Sequence, residues 1–196
     1  MKSAIDIFMQ SVKTLCPKLT DSELRYLESG LTMTTLQAKQ FYIQANTIQR
    51  DIGFLYQGLI RCYYIDANGK EITIRFINEN QYATHYPAFV NRTPSKYYFQ
   101  CLEPTKVLNL SHEHIYTGYE LHPNFERYGR LIAETVLWYQ EKRIDSFLFQ
   151  SAEERYLNFI EEHPELIHRI SLTHLSSYLG IERQSLTRIR KKLSRR

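Results

Sequence analysis

The chain of 196 residues is long enough for one generous domain or for a medium domain plus a small one, since domains commonly run ~100–150 residues. With 43% hydrophobic and 23% charged residues it has the make-up of a folded globular protein, which excludes a disordered or fibrous chain. The formal charge of +4 is unevenly placed: residues 181–196 hold seven Lys/Arg against Glu182 alone, while the other 180 residues carry 18 basic and 20 acidic groups, so a polyanionic partner is expected at the C-terminal end.

At the N-terminus Asp6, Gln10 and Lys13 interrupt any apolar run, so neither a signal peptide nor a membrane span is expected. Cys16, Cys62 and Cys101 are odd in number and lack paired spacing, which fits a reducing compartment; a cytoplasmic location without a membrane partner is the expectation. Thr20 and Glu23 have the spacing of a capping box and predict a short helix over Asp21–Ser29. Strand signals follow. Fifteen tyrosines favour half-buried pleated surfaces, and the stretch Phe54–Ile65, rich in Tyr, Leu and Ile, reads as strand. Asn68-Gly69 separates it from Glu71–Ile77, where Ile72, Ile74 and Phe76 share one face; Asn-Gly tolerates the positive φ angles of a tight turn, so a hairpin is predicted.

Further strands are expected at Tyr97–Leu102 and Lys106–Leu110, with Pro94 and Pro104 punctuating the connections, and such a series implies a barrel or jelly roll. Cys62 and Cys101 fall in this region; small buried hydrophobes is the plain reading, a thiol switch the alternative. Ser111 can cap a helix, which would set His112 and His114 about 200° apart and argues against a metal-binding pair. No metal or other cofactor is expected. After His122-Pro123 the chain runs without a breaker to Phe149, predicting one long helix of roughly 35 Å at ~1.5 Å per residue, longer than a small barrel needs to cover itself. Its apolar residues spread around the cylinder, which suggests pairing with a second copy; packing on the barrel is the alternative.

Ser151 and Glu154 form another capping box, and His163-Pro164 ends the helix they start. Ser171 can cap a second helix carrying Leu172, Leu175 and Leu179, and Gly180 sits where helices end in the left-handed conformation. A third helix is predicted over Glu182–Leu193, with Leu186, Ile189 and Leu193 as its buried stripe. The opposite face collects Gln184, Arg188, Lys191 and Arg195, with Thr187 beside them and Arg183 near the helix start. Arginine can pair bidentately with guanine and glutamine with adenine, while Lys191 can neutralise phosphate, so the face suits major-groove reading of double-stranded DNA. A solvated basic face on a structural helix is the bland alternative.

The run from Ile170-Ser171-Leu172 through Leu179-Gly180-Ile181-Glu182-Arg183-Gln184-Ser185-Leu186-Thr187-Arg188-Ile189-Arg190-Lys191 resembles the helix-turn-helix of the Crp/Fnr family. Upstream, Gly58-Leu59-Ile60-Arg61, Asn68-Gly69-Lys70-Glu71 and Arg75-Phe76 resemble that family's cyclic-nucleotide-binding-type β-roll. The resemblance implies an α+β fold: a β-roll or jelly-roll sensor domain over 1–122, a long dimerisation helix over 123–150 and a helix-turn-helix domain over 151–196. It also implies a homodimeric transcription factor rather than an enzyme, acting on a two-fold-related operator with RNA polymerase as a further partner. Carried over by position, Arg183, Gln184 and Arg188 match base-reading positions and Ser171 and Ser185 match phosphate contacts. Glu182 departs from the pattern, because many members have Ser or Thr there, and a carboxylate favours a helix N-terminus but repels phosphate.

Nucleotide-binding members hold ribose and cyclic phosphate with Gly-Glu and Arg-Ser pairs. Here Thr84-His85 and Ser95-Lys96 stand in their places, so the bidentate arginine is gone and cyclic AMP is not the expected effector. An unknown small-molecule effector would meet His85, Tyr86 and Lys96. The competing reading is a small-molecule-binding or enzymatic β-roll with a basic protein-interaction tail, although no nucleophile–base constellation supports catalysis.

Overall fold

The structure is a computed structural model and describes residues 2–194. The chain divides into two compact units: one comprises the residues up to Cys62 with Phe76–Leu137, the other Tyr63–Arg75 with the residues from Trp138 onward.

Two helices precede the strands. Helix α1 (Lys2–Leu15) buries Ala4, Phe8 and Val12, spaced four apart, and leaves Asp6, Gln10 and Lys13 exposed. The polar residues that interrupt the apolar run are therefore the solvent side of an amphipathic helix. The Phe8 ring meets Phe54 edge-on with centroids 5.1 Å apart. Helix α2 (Asp21–Ser29) starts at the predicted capping box: Glu23 N–H donates to the Thr20 hydroxyl and Thr20 N–H to the Glu23 carboxylate.

Among the described residues eight strands follow, β1 (Thr32–Leu36), β2 (Phe41–Ile43), β3 (Asp51–Gln57), β4 (Ile60–Ile65), β5 (Glu71–Ile77), β6 (Tyr82–Ala83), β7 (Tyr98–Cys101) and β8 (Thr105–Ser111), with a short helix α3 (Tyr86–Asn91) after β6. They form two four-stranded sheets, ordered β1-β8-β3-β6 and β2-β7-β4-β5, in which β1 with β8, β8 with β3, β3 with β6 and β2 with β7 pair antiparallel. The roll is thus built as the series of short strands implied. The run from Phe54 to Ile65, however, is two strands in different sheets. Gly58 breaks it at φ +109, a conformation suited to glycine, and an added Cβ would lie 2.8 Å from the Pro104 carbonyl oxygen.

The hairpin between β4 and β5 also differs from a two-residue turn. Only Gly69 has positive φ, and the Asp66 carboxylate accepts from the N–H groups of Asn68 and Lys70 at 2.8 and 2.9 Å. The aspartate side chain organises a longer loop, a signal the Asn-Gly pair overshadowed.

Helix α4 (His112–Leu121) is capped by Ser111, as its position predicted. Helix α5 (Pro123–Phe149) is 27 residues long, starts with Pro at its first position and has no interior proline. In its first part Phe125, Tyr128 and Ile132 join a core with Phe8, Leu27, Phe54 and Leu108. The buried Glu23 carboxylate accepts from both the backbone and side-chain nitrogens of Asn124 at 3.1 Å, fixing the start of α5. Burial alone would raise the Glu23 carboxyl; the hydrogen bonds from Thr20 and Asn124 outweigh it and hold the group below the ordinary range. In the second unit the chain continues through α6 (Ala152–Glu162), a 3-10 turn at Pro164–Leu166, α7 (Leu172–Leu179) and α8 (Arg183–Leu193).

Candidate nucleic-acid interface

The last two helices meet through a turn that glycine makes possible. The Ser171 hydroxyl accepts from His174 N–H at 3.1 Å and starts α7. Gly180 ends it in the left-handed region, φ +68 and ψ +33, while Ile181 N–H reaches back to the Ser176 carbonyl at 3.1 Å. Glu182 is the N-cap residue of α8, but its side chain makes no capping bond.

Helix α8 divides cleanly. Leu186 is fully buried, Ile189 and Leu193 are half-buried, and Lys192 pairs with Glu153 at 2.6 Å. Arg183, Gln184, Thr187, Arg188 and Lys191 are exposed, and Ser185 is half-buried. No ion pair among the described residues engages Arg183, Arg188 or Lys191. Glu182, Arg183, Gln184 and Thr187 line an open hollow of about 700 Å³ at the helix N-terminus, where backbone N–H groups and the positive end of the helix dipole favour an anion. Arg195, assigned to the same face by periodicity, lies outside the described residues.

Two arginines hold the turn in place. Arg155 donates through Nε to the Leu179 carbonyl at 3.1 Å and through Nη1 to the Gln150 carbonyl at 2.6 Å, capping the ends of α7 and α5 with one guanidinium. The Arg143 guanidinium lies 4.3 Å from the Phe147 ring centroid and 3.8 Å from that of Tyr178, and donates to the Tyr178 carbonyl. Sequence reading missed both, because their partners at the end of α7 lie 24 and 35 residues away and nothing in the spacing marks them.

It missed Lys70 and Ser177 for the same reason. The Ser177 hydroxyl donates to the Glu71 carbonyl at 3.0 Å and accepts from Thr73 N–H at 2.9 Å, joining α7 to strand β5. One turn along, Lys70 Nζ lies 2.8 Å from a Glu182 carboxylate oxygen, and this partner holds the Glu182 carboxyl below its ordinary range.

In the first unit, of the residues expected to meet an effector, His85 and Lys96 both lie against the Tyr97 ring while Tyr86 lies elsewhere. His85 N–H donates to Gln49 Oε1 at 3.0 Å, and His85 Nδ1 lies 3.1 Å from the Ser95 hydroxyl. That hydroxyl also lies 3.0 Å from the Tyr97 carbonyl oxygen and accepts from Tyr97 N–H at 3.1 Å. Burial, aided by the Lys96 charge, lowers the His85 pKa. Lys96 is exposed, its ammonium 5.1 Å from the Tyr97 ring. Tyr86 instead lines a small apolar hollow with Tyr82, Tyr119, Phe125 and Tyr128. Cys16, Cys62 and Cys101 are buried and, among the described residues, none is in a disulfide; burial pushes the Cys101 thiol up, away from the reactive thiolate. Among the described residues no group of three or more His, Cys, Asp or Glu could hold a metal ion, and no helix is long and apolar enough to cross a membrane.

Residues 33–120 match the family described as Cyclic nucleotide-binding domain. A comparison with curated protein sequences gives no match. Among solved structures, FixK2 from Bradyrhizobium japonicum superposes with a TM-score of 0.74 at 13% identity, covering 84% of this chain and 84% of that one. The c-di-GMP responsive global regulator CLP of Xanthomonas campestris gives 0.70 at 13% identity, over 89% of this chain and 92% of that one. A Eubacterium rectale protein assigned to the Crp/Fnr family of transcriptional regulators gives 0.71 at 14% identity, over 92% of this chain and 86% of that one. With a β-roll segment that matches the cyclic nucleotide-binding domain, the chain has the fold of the Crp/Fnr transcription regulators.

Proposed function

We propose that this protein is a sequence-specific DNA-binding transcription regulator, with residues 1–122 as sensor domain, 123–150 as dimerisation helix and 151–196 as the helix-turn-helix domain. The observation that carries the reading is the face of α8: Arg183 and Gln184 stand exposed in its first turn and Arg188 in its second. In this reading they meet base edges in the major groove, while Ser171, Ser185 and Lys191 meet phosphates. Recognition helices read with their N-terminal turns, where the open hollow lies.

The protein acts as a homodimer on a two-fold-related operator. Trp138, Ile144, Leu148 and Phe149 on the last part of α5 are more than half exposed, which supports pairing of that helix with a second copy. An effector other than cyclic AMP belongs to this reading; its support is that Thr84-His85 and Ser95-Lys96 replace the Gly-Glu and Arg-Ser pairs, with His85 bonded to Gln49 through its backbone N–H and to Ser95 through its ring. RNA polymerase is the further partner and the cytoplasm the site of action. Selection of bound sequences from random duplex DNA tests the assignment: a palindromic motif is expected, and failure to enrich any sequence would refute it.

A further inference from the structure

An acidic residue at the N-cap of a DNA-reading helix raises a physical problem. The carboxylate suits the helix dipole, yet it stands where phosphates approach. In this protein the carboxylate is not alone. Glu182 makes no capping bond, and its side chain turns to Lys70, 2.8 Å away on the hairpin between β4 and β5. That hairpin is anchored at the spot: the next residue, Glu71, accepts from Ser177, and Thr73, which donates to the same hydroxyl, is 1% exposed. Ser177 thus occupies backbone groups of an edge strand and fixes the position from which Lys70 reaches α8.

We propose that Lys70 is a positioning residue of the DNA-binding surface: it pairs with the Glu182 carboxylate, so that the recognition helix presents a charge-compensated N-cap to the phosphate backbone only while the β4–β5 hairpin is seated on α7. This rests on the DNA-reading assignment above. It makes a residue far from the helix-turn-helix in sequence a determinant of DNA affinity, and it explains how a carboxylate is tolerated at this position.

Both side chains are more than half exposed, so the pair adds little to folding stability and its loss leaves the fold intact. The test is DNA binding by the full chain, read as fluorescence anisotropy on a duplex selected with the unaltered protein, for Lys70→Ala, Glu182→Gln and the double variant. Removal of one charge at a few ångströms from the phosphate path predicts a loss of about tenfold for Lys70→Ala at low salt, shrinking as salt rises. Glu182→Gln binds as tightly as the unaltered protein or more so, and added to Lys70→Ala it restores affinity to within about threefold, because no bare carboxylate remains.

Lys70→Ala binding like the unaltered protein overturns the proposal. So does a loss that Glu182→Gln fails to rescue, since Lys70 would then touch DNA itself. An unaltered protein that retains no duplex at all refutes the DNA-reading assignment and this inference together, whereas either of the other failures leaves that assignment standing.

Discussion

A side chain added at Gly180 would place its Cβ 2.5 Å from the Phe147 ring. The glycine that lets the chain turn between α7 and α8 is therefore also the floor on which the end of α5 rests. Two costs combine in Gly180→Ala: the left-handed backbone at φ +68 and the contact with the ring. The first is about 1 kcal/mol and the second adds to it only as far as the Phe147 ring cannot yield, so urea unfolding is expected to register a loss of at least ~1 kcal/mol. Adding Phe147→Ala separates the two. The double variant should be less unstable than the sum of the single ones by the contact contribution, and strict additivity would show that the ring yields without cost.

The two halves of the proposed interface should fail differently. Arg188→Ala is expected to relax base preference at one position of each half-site, costing ~1–3 kcal/mol on the selected sequence and little on others. Lys191→Ala should weaken all sequences alike and reduce the salt slope by about one unit. Binding to the selected and a scrambled duplex across a salt series distinguishes them. If both variants bind the selected duplex as the unaltered protein does, α8 is not the reading helix.

These contrasts also mark what the sequence could disclose. Capping pairs such as Thr20 with Glu23 and Ser151 with Glu154, and the leucine stripe of α7, are local, and each appears in the structure at the expected residues. Helix α1 was hidden because its exposed Asp6, Gln10 and Lys13 are what a broken apolar run looks like when its period is ignored. The Phe54–Ile65 run hid a change of sheet, since β-rich composition does not say which strand pairs with which; Gly58 was the available signal. At the site, the exposed face of α8 follows from helical period alone. Its neighbours do not: Lys70 meets Glu182 across 112 positions, and no local pattern encodes that.

Three histidines share a direction of shift. Burial lowers the pKa of His85, His112 and His163, aided at His85 by Lys96 and at His112 by Arg92. The folded form resists protons that the unfolded chain takes up below its ordinary value of 6.5. Stability from these groups is therefore complete above that pH and is lost as pH falls toward the folded values. Urea unfolding at about pH 7.5 and about pH 5.5 should give the lower stability at the acidic end. His85→Gln is expected to make the fall shallower. An unchanged slope in that variant would place the effect on the other two histidines.

Tyr82 and Tyr128 exchange a short hydroxyl–hydroxyl hydrogen bond at the wall of the apolar hollow, and burial holds both phenols well above their ordinary value. One hydroxyl donates to the other in a place water scarcely reaches. Removing one strands its partner, so Tyr128→Phe and Tyr82→Phe should each destabilise the protein by ~1–3 kcal/mol. Removing both leaves no orphan and keeps the rings that pack with Phe54 and Phe125, so the double variant should be more stable than either single one. Thermal unfolding of the four proteins decides the matter. If the double variant is instead the least stable, each hydroxyl has a second partner, and the pair is part of a larger polar network running into the hollow.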